Sequence, residues 1–289
     1  MPKLSDPTQR LTDMDRMGID VQAISPSPMQ YYYWADPEQA EQIVTLCNER
    51  IAEICSQHPS RFVGLGHVAI QHPSLAVRQM EHGVKQYGLR GFQVSSAING
   101  KELSDSTLRP FWAKAEALDI PIFVHPAGSP MGERLSPYNL SNTVGQPMET
   151  AIALSMMIFS GLFDELPKLK VIAAHGGGYL PLYSGRSDHA HEVRPEAQRC
   201  VRPPSDYLKK IFYDSVVYQP AALADLIRRV GPNQVLLGTD YPFDMSESDP
   251  LSLVSLVDGL DESDCKAIIG ETAAGLLKLR PVGAPQSTY

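Results

Sequence analysis

The stretch Val235-Leu-Leu-Gly-Thr-Asp240-Tyr-Pro-Phe243 runs an apolar strand directly into an acidic residue and a turn. An unbroken Val/Leu run reads as a buried strand, and Gly-Thr-Asp-Tyr-Pro ends it. Asp240 therefore stands at a carboxyl strand end. In parallel α/β folds, and above all in (β/α)8 barrels, that edge carries the chemistry while the opposite edge carries stability. Two other strands finish in the same way, Pro121-Ile-Phe-Val-His125-Pro126 and Leu169-Lys-Val-Ile-Ala-Ala-His175-Gly-Gly-Gly178. Two imidazoles and a carboxylate, each at the end of its own strand, can converge on one site.

Outward from these segments, strand-like and helix-like patterns alternate along the chain. The strands are expected over 21–26, 62–70, 91–96, 121–126, 169–176, 211–218 and 235–239. The helices are expected over 37–58, 74–87, 110–118, 148–166, 220–230 and 261–279. Such alternation argues βαβ units and a parallel sheet. Seven strands are legible, so the expected fold is an α/β TIM-type barrel that lacks its first strand. No repeat or Gly/Ser-rich linker divides residues 1–289, which read as a single domain. Two connections, 127–145 and 184–204, are long and proline-bearing, and loops of that length usually serve function or form interfaces.

Composition narrows the function classes. A net charge of −8 argues against non-specific nucleic-acid binding, whose footprint is a basic stripe. The four cysteines, Cys47, Cys55, Cys200 and Cys265, form no C-x-x-C pair and suggest no disulfide framework. No run approaches a membrane span and no apolar signal-peptide core opens the chain. A cytoplasmic protein without membrane or nucleic-acid partners is the expectation.

From the residues alone, His125 is either a ligand or a satisfied strand-end histidine, Asp240 a ligand or an Asx-turn residue, and His175 an acid/base or a packed histidine. The three glycines after His175 would let the backbone approach a ligand closely. A family pattern separates these readings. His125-Pro126, Ala174-His175-Gly-Gly-Gly178 with Tyr179-Leu-Pro181, Gly185-Arg186 and Leu237-Gly-Thr-Asp240-Tyr-Pro-Phe243, taken in order, resemble the amidohydrolase superfamily. The pattern is most similar to its branch of α-amino-β-carboxymuconate-ε-semialdehyde decarboxylase and related aromatic acid decarboxylases. Arg10 to Ser25, Tyr33-Trp34-Ala35 and Phe62-Val-Gly-Leu-Gly66 extend the likeness over nearly the whole chain.

The resemblance implies a (β/α)8 barrel with a mononuclear divalent metal, here expected to be zinc. It makes His125 and Asp240 metal ligands, and His175 and Asp240 the groups that move protons. It places Arg10 on the substrate carboxylate and Arg186 across a homodimer interface, and it puts the loop of the aromatic run Tyr31-Tyr32-Tyr33-Trp34 over a planar substrate, where the residues alone equally allow ordinary packing above the barrel. Arginine's planar fork suits a carboxylate, and histidine suits proton transfer near neutrality. One departure stands out. The family's first strand carries a His-x-His pair that supplies two ligands, and nothing before Arg10 matches it. A truncated start or a natural variant is expected, with metal held weakly or not at all and the open sheet edge covered by a partner, a loop or disorder. Glu271-Thr272-Ala273 also replaces the usual Gly-Asn-Ala.

His189-Ala-His191 has the right spelling but the wrong setting, since on a helix its imidazoles would point about 200° apart. It is read as a solvated face. His58, His67, His72 and His82 show no interpretable spacing and are read as structural. The expected activity is metal-dependent, non-oxidative decarboxylation of an unsaturated or aromatic carboxylic acid. The alternatives are metal-dependent hydrolysis of a lactone or similar ring, or a metal-poor, inactive barrel acting as a binding protein or subunit.

Overall fold

The computed structural model describes residues 2–279. Its main sheet has seven parallel strands: β1 (Gln22–Ile24), β2 (Phe62–Gly66), β3 (Gly91–Val94), β6 (Pro121–Val124), β7 (Lys170–Ala173), β8 (Ile211–Asp214) and β9 (Val235–Leu236). A small antiparallel hairpin, β4 (Ala97–Ile98) and β5 (Lys101–Glu102), follows β3. The spatial order β1-β2-β3-β6-β7-β8-β9 is also the chain order, as successive βαβ units of one hand require. Among the described residues β1 and β9 are the two edges, so the sheet is an open barrel. All seven expected strands are present, and all end two to four residues earlier than the apolar runs suggested; β1 and β7 also start one residue later. The surplus residues are the inward-turning strand ends, and ladder bonds continue just beyond them where His125 N–H donates to Val94 O at 2.9 Å and Ala174 N–H to Val124 O at 3.1 Å.

The helices around the sheet begin with two that have side-chain caps. In chain order the helices before β9 are α1 (Pro7–Met17), α2 (Pro37–Gln57), α3 (Pro73–Tyr87), α4 (Arg109–Ala117), α5 (Gln146–Phe159), α6 (Leu162–Glu165), α7 (Leu180–Val193) and α8 (Pro220–Val230). Asp6 caps α1 by accepting from Thr8 N–H, Asp36 caps α2 by accepting from Gln39 N–H, and proline occupies the first turn of each. The single helix expected over 148–166 is two, because Gly161 adopts a left-handed φ of 78°. The expected final helix over 261–279 runs continuously from Glu262 to Leu276, widened into a π-helical turn at Ala267–Glu271 next to Thr272. Three helices were not anticipated, α1, α7 and a short one at Pro250–Ser255. α1 lies in the stretch recognised only by likeness, and α7 takes up the first half of the supposed long connection 184–204. α7 buries only Leu180, Pro181 and Ser184, so it has almost no apolar stripe to betray it.

Alternation along the strands sorts the core into two layers. Phe62, Phe92, Ile122, Val171, Tyr213 and Val235 belong to the large cluster shared with the surrounding helices. Their neighbours Val63, Leu65, Phe123, Ile172, Phe212 and Leu236 face the other side, the barrel interior, where Leu276 and Leu277 from the C-terminal helix Thr272–Leu276 and the residue after it reach them. The four cysteines are free. No helix among the described residues is long and apolar enough to cross a membrane.

His67, just beyond β2, is 1% exposed. Its Nε2 lies 3.1 Å from the Tyr31 carbonyl, its ring stacks on Tyr31 and Tyr33, and Asn48 of α2 clamps its backbone with bonds of 2.9 and 2.7 Å. Burial lowers its pKa from 6.5 to about 4. Above 6.5 the ring is neutral whether the chain is folded or not. Between 6.5 and 4 only the unfolded chain takes the proton, so stability falls with pH across this window. At 1.36 kcal/mol per unit the loss is about 3 kcal/mol. His67→Gln, whose amide can still donate to Tyr31 O, should lack that part of the acid slope in denaturant titrations at pH 7, 5.5 and 4. Parallel slopes for the two proteins would contradict it.

Candidate active site

The inner face of the barrel runs out into the cleft by the same period of two. On β6, Phe123 faces inward, so His125 does too, and their rings lie 5.8 Å apart. On β9, Leu236 is followed at the same phase by Gly238 and Asp240. Gly238 is required there, because a Cβ would sit 2.8 Å from the Asp214 Cβ. On β7 the phase of Ile172 would select Ala174 rather than His175. The chain corrects this by turning through a left-handed residue at His175, φ 56°, and Asp240 has φ 55°. Left-handed backbone outside glycine costs on the order of 1–3 kcal/mol and gathers at functional sites.

Side-chain nitrogen and oxygen atoms of His125, His175 and Asp240 all lie within 4.8 Å of one another. His125 Nε2 is 3.8 Å from Asp240 Oδ1, and the two imidazole centroids are 4.9 Å apart. The His125 Nδ1 contact is the Pro126 carbonyl at 2.9 Å. A carbonyl only accepts, so Nδ1 carries the hydrogen, and in the neutral ring the Nε2 lone pair faces the Asp240 carboxylate. Two acceptors aimed at one another call for a cation between them, and backbone fixing of the distal nitrogen is how metal-binding histidines are held. Ligands about 2.1 Å from one ion stand at most ~4.2 Å apart. The His125–Asp240 pair meets that limit at 3.8 Å, and the whole trio lies within 4.8 Å. The donor set therefore fits a divalent metal on His125 and Asp240 with His175 beside it. His175 is half-buried, and its Nδ1, shielded from solvent, has no protein partner. Burial lowers its pKa, with His125 acting in the same direction and Asp214 and Asp240 opposing.

Two contributors escaped the sequence reading. The Asp214 carboxylate, at the end of β8, accepts from His175 N–H and Gly176 N–H at 2.9 Å each and from Val216 N–H at 3.1 Å. It is the anchor of the His175 turn. The signal was available, since Ile211-Phe-Tyr-Asp214 is another strand ending in a carboxylate. The second is Tyr31, whose hydroxyl donates to the His125 carbonyl at 3.1 Å while Gln93 Nε2 donates to that hydroxyl at 2.8 Å. Nearby, burial pushes the Tyr218 phenol up to about 12, with Asp240, Asp214 and Glu247 adding to the effect. Its hydroxyl stays a donor and bonds Met245 O at 2.6 Å.

The remaining candidates fall at different distances from this centre. Arg10 contacts the residue that follows Asp240. Its guanidinium lies 4.8 Å from the Tyr241 ring centroid, next along the chain from Asp240, and donates to Gln22 Oε1 at 2.8 Å. Trp34 is 70% exposed and touches Tyr32 rather than the cleft residues, so Tyr31 is the member of the aromatic run that reaches His125. Arg186 is exposed on α7. His189 is exposed on the same helix, and His191 Nε2 contacts the Cys200 carbonyl at 2.9 Å.

Comparison with known proteins identifies the family and the fold. The family model described as amidohydrolase matches residues 2–279. A 2-amino-3-carboxymuconate-6-semialdehyde decarboxylase of Dictyostelium discoideum is 36% identical over 278 residues, covering 96% of this chain and 77% of that protein. The crystal structure of 5-carboxyvanillate decarboxylase from Sphingomonas paucimobilis superposes with a TM-score of 0.88 at 27% identity, over 96% of this chain and 84% of that one. The enzyme of that name from Novosphingobium aromaticivorans, complexed with manganese and 4-hydroxy-3-methoxy-5-nitrobenzoic acid, gives 0.87 at 27% identity, over 94% and 80%.

Proposed function

Because this chain belongs to the amidohydrolase family, we propose that it is a metal-dependent, non-oxidative decarboxylase of an unsaturated or aromatic carboxylic acid. The observation that carries this reading is the convergence of His125, His175 and Asp240 at three strand ends, with one imidazole beside the pair that fits a metal. His125 and Asp240 would hold the ion. When bound, a divalent metal supplies Lewis-acid polarisation and lowers the pKa of water. Manganese occupies a related enzyme, and this donor set of nitrogen and oxygen accommodates zinc as well.

The protein's own residues do the rest. Arg10 grips the substrate carboxylate, and the loop bearing Trp34 covers the planar body. The bound anion raises the His175 pKa against the effect of burial, so the imidazolium delivers its proton to the carbon that bears the carboxylate. The carbon–carbon bond then breaks, its electron pair returns to the unsaturated system, and CO2 leaves. His175 recovers a proton from solvent, and Asp240 keeps the neighbouring charge balanced. Chain and metal salt incubated with 2,6-dihydroxybenzoate and related acids should release CO2 without consuming an oxidant. Release of a new acid from a lactone, with no CO2 from any acid, would favour hydrolysis instead.

A cytoplasmic homodimer completes the proposal. Tyr179, Leu182 and Tyr183 on α7 and Ile152 and Met156 on the adjoining α5 are 40–64% exposed, an apolar patch of the kind that marks interfaces. Leu182 and Arg186 share a helix face at i, i+4. An isologous dimer through this patch would carry Arg186 toward the partner's cleft. Arg186→Ala should then reduce kcat/KM by about 10–100-fold, the worth of a charge-assisted bond, with Tm unchanged. Sedimentation as a monomer at micromolar concentration would remove that role.

A further inference from the structure

A second concavity, of about 590 Å³, lies at the far end of β8 from the catalytic cleft. Four cations line it, Arg202, Lys209, Lys210 and Arg229. Lys210 immediately precedes β8 and Arg229 lies in the last turn of α8, so the cavity sits at the amino-terminal edge of the sheet. The strand, about 13 Å long, separates it from Asp214 and the His175 turn.

We propose that this cavity binds a phosphorylated small molecule. The chain as a whole is acidic, with a net charge of −8, yet the lining gathers four positive charges against one carboxylate, Asp206. Among the described residues none of the four makes an ion pair, whereas Arg194 and Arg228 pair with Glu196 and Asp225. Like charges collected in a concavity repel, and the focused field attracts an anion.

The cations also stand on fixed backbone. Arg202 and Lys210 approach the buried Tyr207 ring to 5.1 and 5.8 Å of its centroid. The Tyr207 hydroxyl accepts from Arg202 N–H at 3.1 Å and donates to Asp164 at 2.6 Å, and Val201 N–H donates to the same carboxylate at 3.1 Å. Ser205 N–H donates to Asp188 of α7 at 2.8 Å. Guanidinium and ammonium donors gathered on this backbone, with Ser205 in the same lining, suit the tetrahedral, multiply charged oxygens of phosphate. The volume lies within the range of small-molecule sites and leaves room for an organic body beyond the phosphate.

Calorimetric titration of the full chain with pyrophosphate and with adenosine monophosphate, at constant ionic strength, tests this. Saturable binding is expected. It should weaken about tenfold or more, the loss of one charge-assisted contact, in Lys209→Gln/Arg229→Gln and again in the single variant Lys209→Glu, and it should persist in Asp240→Asn. Absence of saturable heat overturns the proposal. So does binding abolished by Asp240→Asn but unchanged in the lysine and arginine variants, which would place the anion in the catalytic cleft. An effect reproduced by sulfate without saturation would reduce it to the general stabilisation that such salts give, and also overturns it.

Discussion

Replacing His175 by asparagine is expected to lower kcat for CO2 release by about 10²–10⁴-fold, the usual contribution of a positioned acid/base. Asparagine is the informative substitution. It tolerates the left-handed φ of 56° better than other side chains, so the turn keeps its shape while the titratable nitrogen disappears. The Asp214 bonds to the backbone of residues 175 and 176 do not involve the side chain and should survive. Substrate affinity should change far less than kcat, because His175 lies beside the metal pair rather than within it. A variant with kcat close to the parent value would show that the proton comes from elsewhere in the cleft.

Asp214→Ala is expected to cost about 3–5 kcal/mol of folding stability, the range for breaking a buried charged interaction from one side. The carboxylate is 8% exposed and satisfies three backbone N–H groups at once. Its removal leaves those donors in a region too enclosed for free hydration, at about 1–3 kcal/mol each. Gly238 packs against the Asp214 Cβ, so the strand end that presents Asp240 loses its support in the same step. The midpoint of urea unfolding should fall with little change in m, and activity should fall with it. Asp214→Asn keeps the volume but turns one acceptor into a donor facing N–H groups, so it should recover only part of the loss. A midpoint shift near zero for Asp214→Ala would mean that the turn at His175 holds itself.

The parts of this molecule that were legible in its sequence are those governed by short-range pattern. Apolar runs stopped by Gly, Pro or Asp located all seven strands, and the residues that stop three of them are those that meet in the cleft. Strand ends were overextended because the segments after Val124, Ala173 and Leu236 remain apolar or small while the chain has already turned toward the cleft. α7 was missed because a helix lying on the surface through Leu180, Pro181 and Ser184 needs no apolar stripe. Asp214 and Tyr31 were missed for a different reason. Their work is done through hydrogen bonds to backbone 39 and 94 residues away, which local pattern does not record, although Ile211-Phe-Tyr-Asp214 carries the same strand-end carboxylate as the Asp240 segment. Trp34, the more conspicuous aromatic, drew attention from Tyr31, although burial separates the two, at 70% and 4% exposure.

Protonation at the carbon that loses CO2 is the step on which the proposal rests, and solvent isotopes report it directly. With an aromatic acid that the chain turns over, the reaction run in D2O should give a product carrying one deuterium at the vacated carbon. The same reaction in water labelled with oxygen-18 should leave the product unlabelled. Oxygen-18 in a new carboxylate or hydroxyl of the product, with no deuterium on carbon, would contradict decarboxylation at the His125–His175–Asp240 cleft and assign the site to hydrolysis.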